Sequence, residues 1–406
     1  TTIANNNPVN FRQGNDEQMA AFVADVEANN IGAVIFYNCN PVYDHPMGAK
    51  LGAALKNIGL TVSTSYTEDE TSSMSTFKTP DHHYLESWND FEPKANSLSL
   101  SQPAITPIFP TRQAQESLLK WAGEETDYFT FVKNNWNNWY YGQAGGGASF
   151  QTFWDKCLYD GVLELGGGSE VGSVSFAGDV NAAASAISAN YKANNTGLEL
   201  VLYESYGVGN GSQANNPLLQ ELPDPITKAV WDHYATISQK DATALGVNND
   251  AEGRTQYISV TAGGQTLKIP ALVQPGQAPG TIGIAIGYGR TKVGKVAENL
   301  GLNVYPLVQL SNGSLNYSVT AGVTAALVEE SFQIAQTQIH QTYMGRGNVI
   351  QESVLIEFKK DPEAGREFPK ITKWEEKVDP GTVSLWKGHD YNDHHWGMSI
   401  DLNSCT

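Results

Sequence analysis

Residues 32–46 read GAVIFYNCNPVYDHP. Gly32–Tyr37 is a short continuous apolar run, the pattern of a strand in a parallel sheet covered on both faces. Asn38–Pro46 is rich in turn formers and reads as the loop leaving that strand's carboxyl end. Upstream, Met19, Phe22, Val23 and Val26 fall at helical spacing within Asp16–Ala28. Downstream, MGAKLGAALKNI (Met47–Ile58) reads as a second helix and LTVSTS (Leu60–Ser65) as a second strand. YTEDETSS (66–73) then offers acidic N-cap candidates for a short helix. A strand–loop–helix–strand unit with a right-handed crossover builds a doubly wound α/β sheet with its two strands adjacent. Ligands of such sheets sit at the carboxyl ends of the strands, where Asn38–Pro46 and Thr67–Ser73 fall.

Outward from this unit the pattern changes. NNWNNWYYGQAGGGASF (134–150) reads as a Gly/Asn/aromatic loop, Phe150–Tyr159 as a helix, and Val180–Lys192 as an Ala-rich helix. GLELVLYESYG (197–207) is a strand, and 256–289 contains three short strands punctuated by Gly-Gly and Pro-Gly, the spacing of a compact barrel. The expected organisation is an α/β domain over 1–125, a helical and loop insertion packing on it over 126–197, and a β-barrel over 198–345. An extended, charged linker follows over 346–406. The apolar anchors of that linker, Val354, Ile356, Phe358, Trp374, Trp386 and Trp396, are scattered, and are expected to dock on a preformed surface.

The chain of 406 residues carries 25 Lys and Arg against 43 Asp and Glu, a net charge of −18. That balance repels a phosphate backbone and argues against sequence-independent nucleic-acid binding. Three cysteines do not make a disulfide scaffold. The apolar runs are far shorter than the ~20 residues that span a bilayer. Beginning at Thr1 and ending on SIDLNSCT, the chain reads as a piece of a longer protein.

Four clusters have residue types that carry chemistry. Asp81, His82, His83 and Glu86 in PDHHYLESWND (80–90) have the donors of a metal site, or form a polar loop over a sheet edge. His389, Asp390, Asp393, His394 and His395 pose the same choice between a metal site and an exposed linker. Cys39 could be a nucleophile with His45 as the nearest base, or a small buried filler; Cys157 lies in a helical apolar pattern and reads as core. Cys405 in MSIDLNSC (398–405) has the flank with which ferredoxin-type cluster domains begin, without a partner cysteine. No dinucleotide fingerprint after a strand, P-loop, zincin motif or nucleophile elbow is present.

Taken together, GAVIFYNCNPVYDHP, EDETSSMSTFKTPDHHYLESWND (68–90), DATALGVNND (241–250) and the stretch 258–290 resemble molybdopterin oxidoreductases in order and content. The matching residues are Asn40–Pro41, Glu70–Thr71 with Pro80 and Glu86, and Pro275–Gly289. The resemblance covers about 1–125 and 198–310 and implies a domain III-like α/β layer followed by a double-psi-type β-barrel. SLLKWAG (117–123), NNPLLQELPDPITKAVWD (215–232) and MSIDLNSCT (398–406) are similar to the iron–sulfur subunit of alternative complex III. That subunit implies a scaffold without a molybdenum cofactor, joined to a ferredoxin-like half whose first iron–sulfur ligand would be Cys405. It also implies partners with haem c, integral membrane quinol-binding subunits, and a place on the periplasmic side of the cytoplasmic membrane. There it would pass electrons from quinol toward cytochrome c or an oxidase. The alternative is an active molybdenum enzyme holding a bis-pterin guanine dinucleotide through Asn40, Asp69, Glu70, Gly287 and Gly289. A third reading is a metal-dependent hydrolase on Asp81, His82, His83 and Glu86.

Overall fold

The structure is a computed structural model that describes residues 8–11, 14–147, 149–166, 178–190, 197–250, 253–311, 313–339, 343, 346, 349–366, 368–401 and 404. It divides into two compact units, Thr1–Ile339 and His340–Thr406.

In the first unit β1 (Ala33–Phe36), β2 (Leu60–Ser63) and β3 (Phe77–Lys78) form a parallel sheet in that order, with Ala33 opposite Leu60 and Val62 opposite Phe77. Helix α1 (Asp16–Glu27) begins where the Asn15 side chain accepts from the Gln18 amide. After β1 come the single turn α2 (Pro41–Asp44) and helix α3 (Gly48–Leu55). Val23 and Val26 of α1, Leu51 and Leu55 of α3, and Val34 and Phe36 of β1 close one core. The strands pair as the sequence implies, but among the described residues helices pack on one face of the sheet. Ile35, Leu60 and Phe77, on the other face, are 47 %, 40 % and 56 % exposed. A doubly wound layer needs helices on both sides, and the described residues supply them to one.

A second, antiparallel sheet has the order β4 (Asn89–Lys94), β5 (Ser97–Ser101), β6 (Val162–Glu164). Here the sequence reading of 134–150 as a loop is corrected. The helix Tyr128–Asn135 continues through a π-helical turn at Trp136–Tyr140. Asn and Gly content argues for a loop, but packing overrides it. Trp136 is fully buried among Trp154, Phe153 and Tyr140, and its indole N–H donates to Asp90 Oδ2 at 3.0 Å. Cys157 lies in this aromatic core.

The barrel closes from six strands: β7 (Leu198–Glu204), β8 (Ala235–Ile237), β9 (Arg254–Ala262), β10 (Gln265–Val273), β11 (Thr281–Ile286) and, after the hairpin β12 (Gln309–Ser311) and β13 (Ser314–Asn316), β14 (Ser318–Gln333). Their order around it is β10-β8-β11-β7-β14-β9. Leu200, Ile237, Ile258, Ile269, Ile282 and Ile284 fill it. Gly263 and Gly264, with φ of +56° and +79°, make the tight β9–β10 turn that two left-handed residues allow. The Gly-rich loop approaches the α/β layer, since Tyr43 of α2 donates to the Tyr288 carbonyl at 2.8 Å. The Pro275–Gly276 turn instead bonds within the barrel, through Gln277 to Thr236 and through the Gly280 amide to Asp241.

The second unit has a four-residue helix, Leu355–Phe358, and the hairpin Ile371–Lys373 with Glu376–Val378. None of its described residues is buried, and Trp374, Trp386 and Trp396 lie open. Among the described residues of the whole chain, no helix is long and apolar enough to cross a membrane.

Candidate functional site

The loops that leave β1 and β2 meet through one asparagine. Asn40 caps α2, and its carbonyl accepts the Tyr43 and Asp44 amides. Its side-chain oxygen accepts from the Thr71 amide at 3.0 Å and the Thr71 hydroxyl at 2.7 Å. Its side-chain amide donates to Glu70 Oε2 at 2.8 Å. Asp69 opens the short helix α4 (Glu70–Met74) as a reciprocal cap: its carboxylate accepts from the Ser72 amide, and its own amide donates to the Ser72 hydroxyl.

Glu70 carries these loops onto the barrel. Arg290, in the turn after β11, donates through Nε to both Glu70 oxygens at 3.0 Å and through Nη2 to Oε2 at 2.9 Å. The Thr291 and Lys292 amides add bonds to Oε1 of 2.7 and 3.2 Å. Arg290 also donates to the Gly211 and Lys292 carbonyls, and its guanidinium lies 4.6 Å over the Tyr43 ring. The two side chains are 5 % and 9 % exposed. Burial by itself would raise the Glu70 carboxyl, but the hydrogen bonds from Arg290, Asn40 and Thr291 outweigh it and hold it below the usual carboxylate range. Gly287 and Gly289 belong to the same turn. A Cβ on Gly287 would lie 2.5 Å from the Gly209 carbonyl oxygen, and one on Gly289 would lie 1.9 Å from the Asn303 nitrogen. Both glycines therefore let one barrel loop lie against another.

Beside this clamp is a cleft of about 470 Å³, lined by Asn38, Cys39, Asp44 and Asp69 on one side and by Asn210, Asn215 and Asn216 on the other. The three asparagine carbonyls on the far wall are spent on the amides of Ser212, Val296 and Leu218. Arg290 is the one cation among the lining residues, and Glu70 neutralises it. Cys39 is no activated nucleophile: the surrounding protein and then Asp44 push its thiol up to about 11. His45, its nearest base in sequence, accepts from the Met47 amide through Nδ1.

Asp44 is the perturbed carboxylate of the cleft. Burial raises it to about 6, against the opposing charge of Arg290. A carboxyl whose folded value lies above its unfolded value near ~3.9 costs stability once ionised, and the cost grows as pH rises through about 6. Asp44→Asn is therefore expected to stabilise the chain by about 3 kcal/mol at pH 8 and to change little at pH 4. Urea midpoints at the two pH values check this, and an equal gain at both would refute it.

The other candidates of the sequence are put to structural use. Asp81 Oδ1 accepts from the His82 amide and from Ala114, the first residue of the helix Ala114–Trp121. Glu86 accepts from the His83 and Ile108 amides, and His83 Nδ1 from Leu85. His389, Asp390, Asp393, His394 and His395 are exposed. Among the described residues no three or more His, Cys, Asp or Glu are grouped to hold a metal ion. Cys405 lies outside the described residues.

Sequence reasoning did not single out Arg290 or His233. His233 is buried, stacks on Tyr288 at 4.4 Å, and pairs Nε2 with the Ala285 carbonyl at 2.8 Å while Nδ1 accepts from Leu302 at 3.1 Å. Burial lowers it to about 4, so it stays neutral and structural. A histidine flanked by Trp231, Asp232 and Tyr234 carries no periodicity that would mark it as interior.

No protein family matches the chain in sequence, and no curated protein matches it. Among solved structures the chain is similar to acetylene hydratase from Pelobacter acetylenicus, with a TM-score of 0.53 and 15 % sequence identity. The match covers 76 % of this chain and 46 % of the hydratase, so the chain spans less than half of that relative's length. The likeness is one of fold alone.

Proposed function

We propose that this chain is a cofactor-free scaffold within a respiratory electron-transfer assembly, built on a molybdopterin-oxidoreductase type of fold. The observation that supports the reading is the saturation of the residues a pterin would need. Asn40 spends its amide nitrogen and oxygen on Glu70 and Thr71. Glu70 receives Arg290, Asn40 and two backbone amides, and Gly287 and Gly289 face their own chain. A pterin guanine dinucleotide carries a pyrophosphate, and the adjoining cleft offers it two aspartates and no unpaired cation among its lining residues. The donor set does not fit that group. Glu70 and Arg290 instead tie the α/β layer to the barrel, as a scaffold requires.

The finer assignment rests on the segments similar to the iron–sulfur subunit of alternative complex III. It places the chain on the periplasmic side of the cytoplasmic membrane, beside haem c and quinol-binding subunits, with iron–sulfur clusters carried by a ferredoxin-like half. Purification of the native assembly tests both levels. Metal analysis and the fluorescence of oxidised pterin are expected to show iron without molybdenum, tungsten or pterin, with quinol oxidation intact. Stoichiometric molybdenum or tungsten together with pterin would establish the active-enzyme alternative instead.

A further inference from the structure

Gln220 closes the helical turn Pro217–Gln220 and is 3 % exposed. Its side-chain nitrogen donates to the Ala214 carbonyl at 2.8 Å, and its backbone carbonyl accepts from the Trp231 amide at 2.9 Å. The first of these bonds fixes the orientation of the side-chain amide, because a reversed group would set two oxygens against each other. Oε1 is therefore aimed away from Ala214, and among the described residues it has no hydrogen-bond partner. A buried acceptor left so carries the full cost of its lost hydration. On that side Gln220 lines a cavity of about 20 Å³, walled by residues 205–207, by residues between 219 and 234, and by Ala285 and Tyr288 after and within the last turns of the barrel. His233 is part of the wall but has nothing to give, since its ring nitrogens are spent on the Ala285 carbonyl and the Leu302 amide. Tyr203 and Tyr288 share hydrogen bonds with Thr236 and Ser205, and a hydroxyl so engaged keeps capacity for another. Asp224 receives the Ile226 and Thr227 amides on Oδ1 and Asp232 the Ala335 amide on Oδ2, so each carboxylate has a second oxygen to offer.

We propose that this cavity binds one structural water, which donates to Gln220 Oε1 and takes its remaining hydrogen bonds from the hydroxyls and carboxylates around it. A water needs roughly 10–15 Å³ of such space and about 2–4 polar partners. The cavity meets both requirements and is too small for an organic ligand. A further stretch of chain is not the occupant, because the residues named already bury Oε1 and would have to move before anything else reached it. The water completes a junction of three segments. Gln220 joins Ala214 to Trp231, a non-glycine residue held at φ +61°. The loop that contains Ala214 also carries the Gly211 carbonyl that accepts from Arg290. The hydrated cavity thereby supports the barrel side of the Glu70–Arg290 clamp. The inference rests on Gln220 and its cavity and not on the cofactor reading, so either can fail without the other.

A high-resolution crystal structure of the full chain tests it directly. One ordered water is expected about 2.7–3.0 Å from Gln220 Oε1. Gln220→Met keeps the length of the side chain and removes the acceptor. That variant is expected to lose the water peak, and magnetic relaxation dispersion of the solvent is expected to count one long-lived water fewer per chain than in the wild type. A donor of this protein seated on Oε1 overturns the proposal, and so does a dry cavity. A peak with contacts of about 2.0–2.6 Å overturns it as well, because such distances belong to a metal cation. A water that persists in Gln220→Met does the same, since Gln220 would not be what holds it. The wild-type structure decides the matter if the variant fails to fold.

Discussion

Replacing Arg290 with methionine is expected to destabilise the first unit by about 3–5 kcal/mol, the range found when one partner of a buried ion pair is removed. The size follows from what remains. Glu70 would keep Asn40 and the Thr291 and Lys292 amides but lose the Arg290 charge that compensates its burial. Its carboxyl would rise, and the fold would have to accept either an uncompensated anion or a proton. Methionine fills much of the volume over the Tyr43 ring, so lost packing is a minor part. Changing Glu70 to methionine as well should recover most of the loss, since a buried pair replaced by apolar groups is often neutral. The acid side supplies a second readout. In the wild type Glu70 sits below its unfolded value near ~4.3, so its contribution is present above that pH and is lost as pH falls through the folded value. Arg290→Met should abolish that acid dependence. Urea unfolding at several pH values measures both effects, and a loss under about 1 kcal/mol would mean that the pair behaves as a solvated one.

The parts of the fold that were legible are those where period and burial agree. GAVIFY and LTVS pair as adjacent parallel strands because their apolar runs need buried neighbours, and the Gly-Gly and Pro-Gly punctuation of 256–289 marks three barrel strands. Trp136–Tyr140 escaped because composition and packing disagree there: asparagines around two tryptophans read as a loop until a helix from elsewhere buries one of them. The bare face of β1–β3 escaped for the opposite reason. An apolar run implies two covered faces, and sequence pattern has no means of saying whose residues do the covering.

The site was half legible. Asn40, Asp69 and Glu70 were singled out through the resemblance, on loops at the carboxyl ends of parallel strands where ligands gather. Their roles were not, because hydrogen-bond saturation is a tertiary property. The partner that consumes Glu70 is 220 residues away in sequence, and nothing local about Arg290 distinguishes it from a surface arginine. The acidic and histidine clusters left two readings open for the same reason. Asp81 and Glu86 have the residue types of metal ligands, but a carboxylate beside a helix start or a turn meets backbone amides first.

Gly289→Ala is expected to cost about 2–5 kcal/mol, as the sum of two separable terms. Its φ is +70°, where a Cβ alone costs roughly 1–2 kcal/mol. The same Cβ would also sit 1.9 Å from the Asn303 nitrogen and 2.3 Å from the Leu302 carbonyl carbon, both backbone atoms that no rotamer change can move aside. Overpacking of that kind typically adds about 1–3 kcal/mol through backbone displacement. The displacement would reach the ion pair, because the turn is pinned by the Gly289 amide to Leu300 and by Asn299 to the Arg290 carbonyl. Gly322, between the register-shifted pairs of β14, supplies the control: it has the same φ of +70°, and a Cβ there would meet nothing within 4 Å. Gly322→Ala should therefore show the conformational cost alone, roughly 1–2 kcal/mol. The difference between the two variants in urea midpoint isolates the close approach that sets Arg290 against Glu70, and equal losses at the two positions would show that no such approach exists.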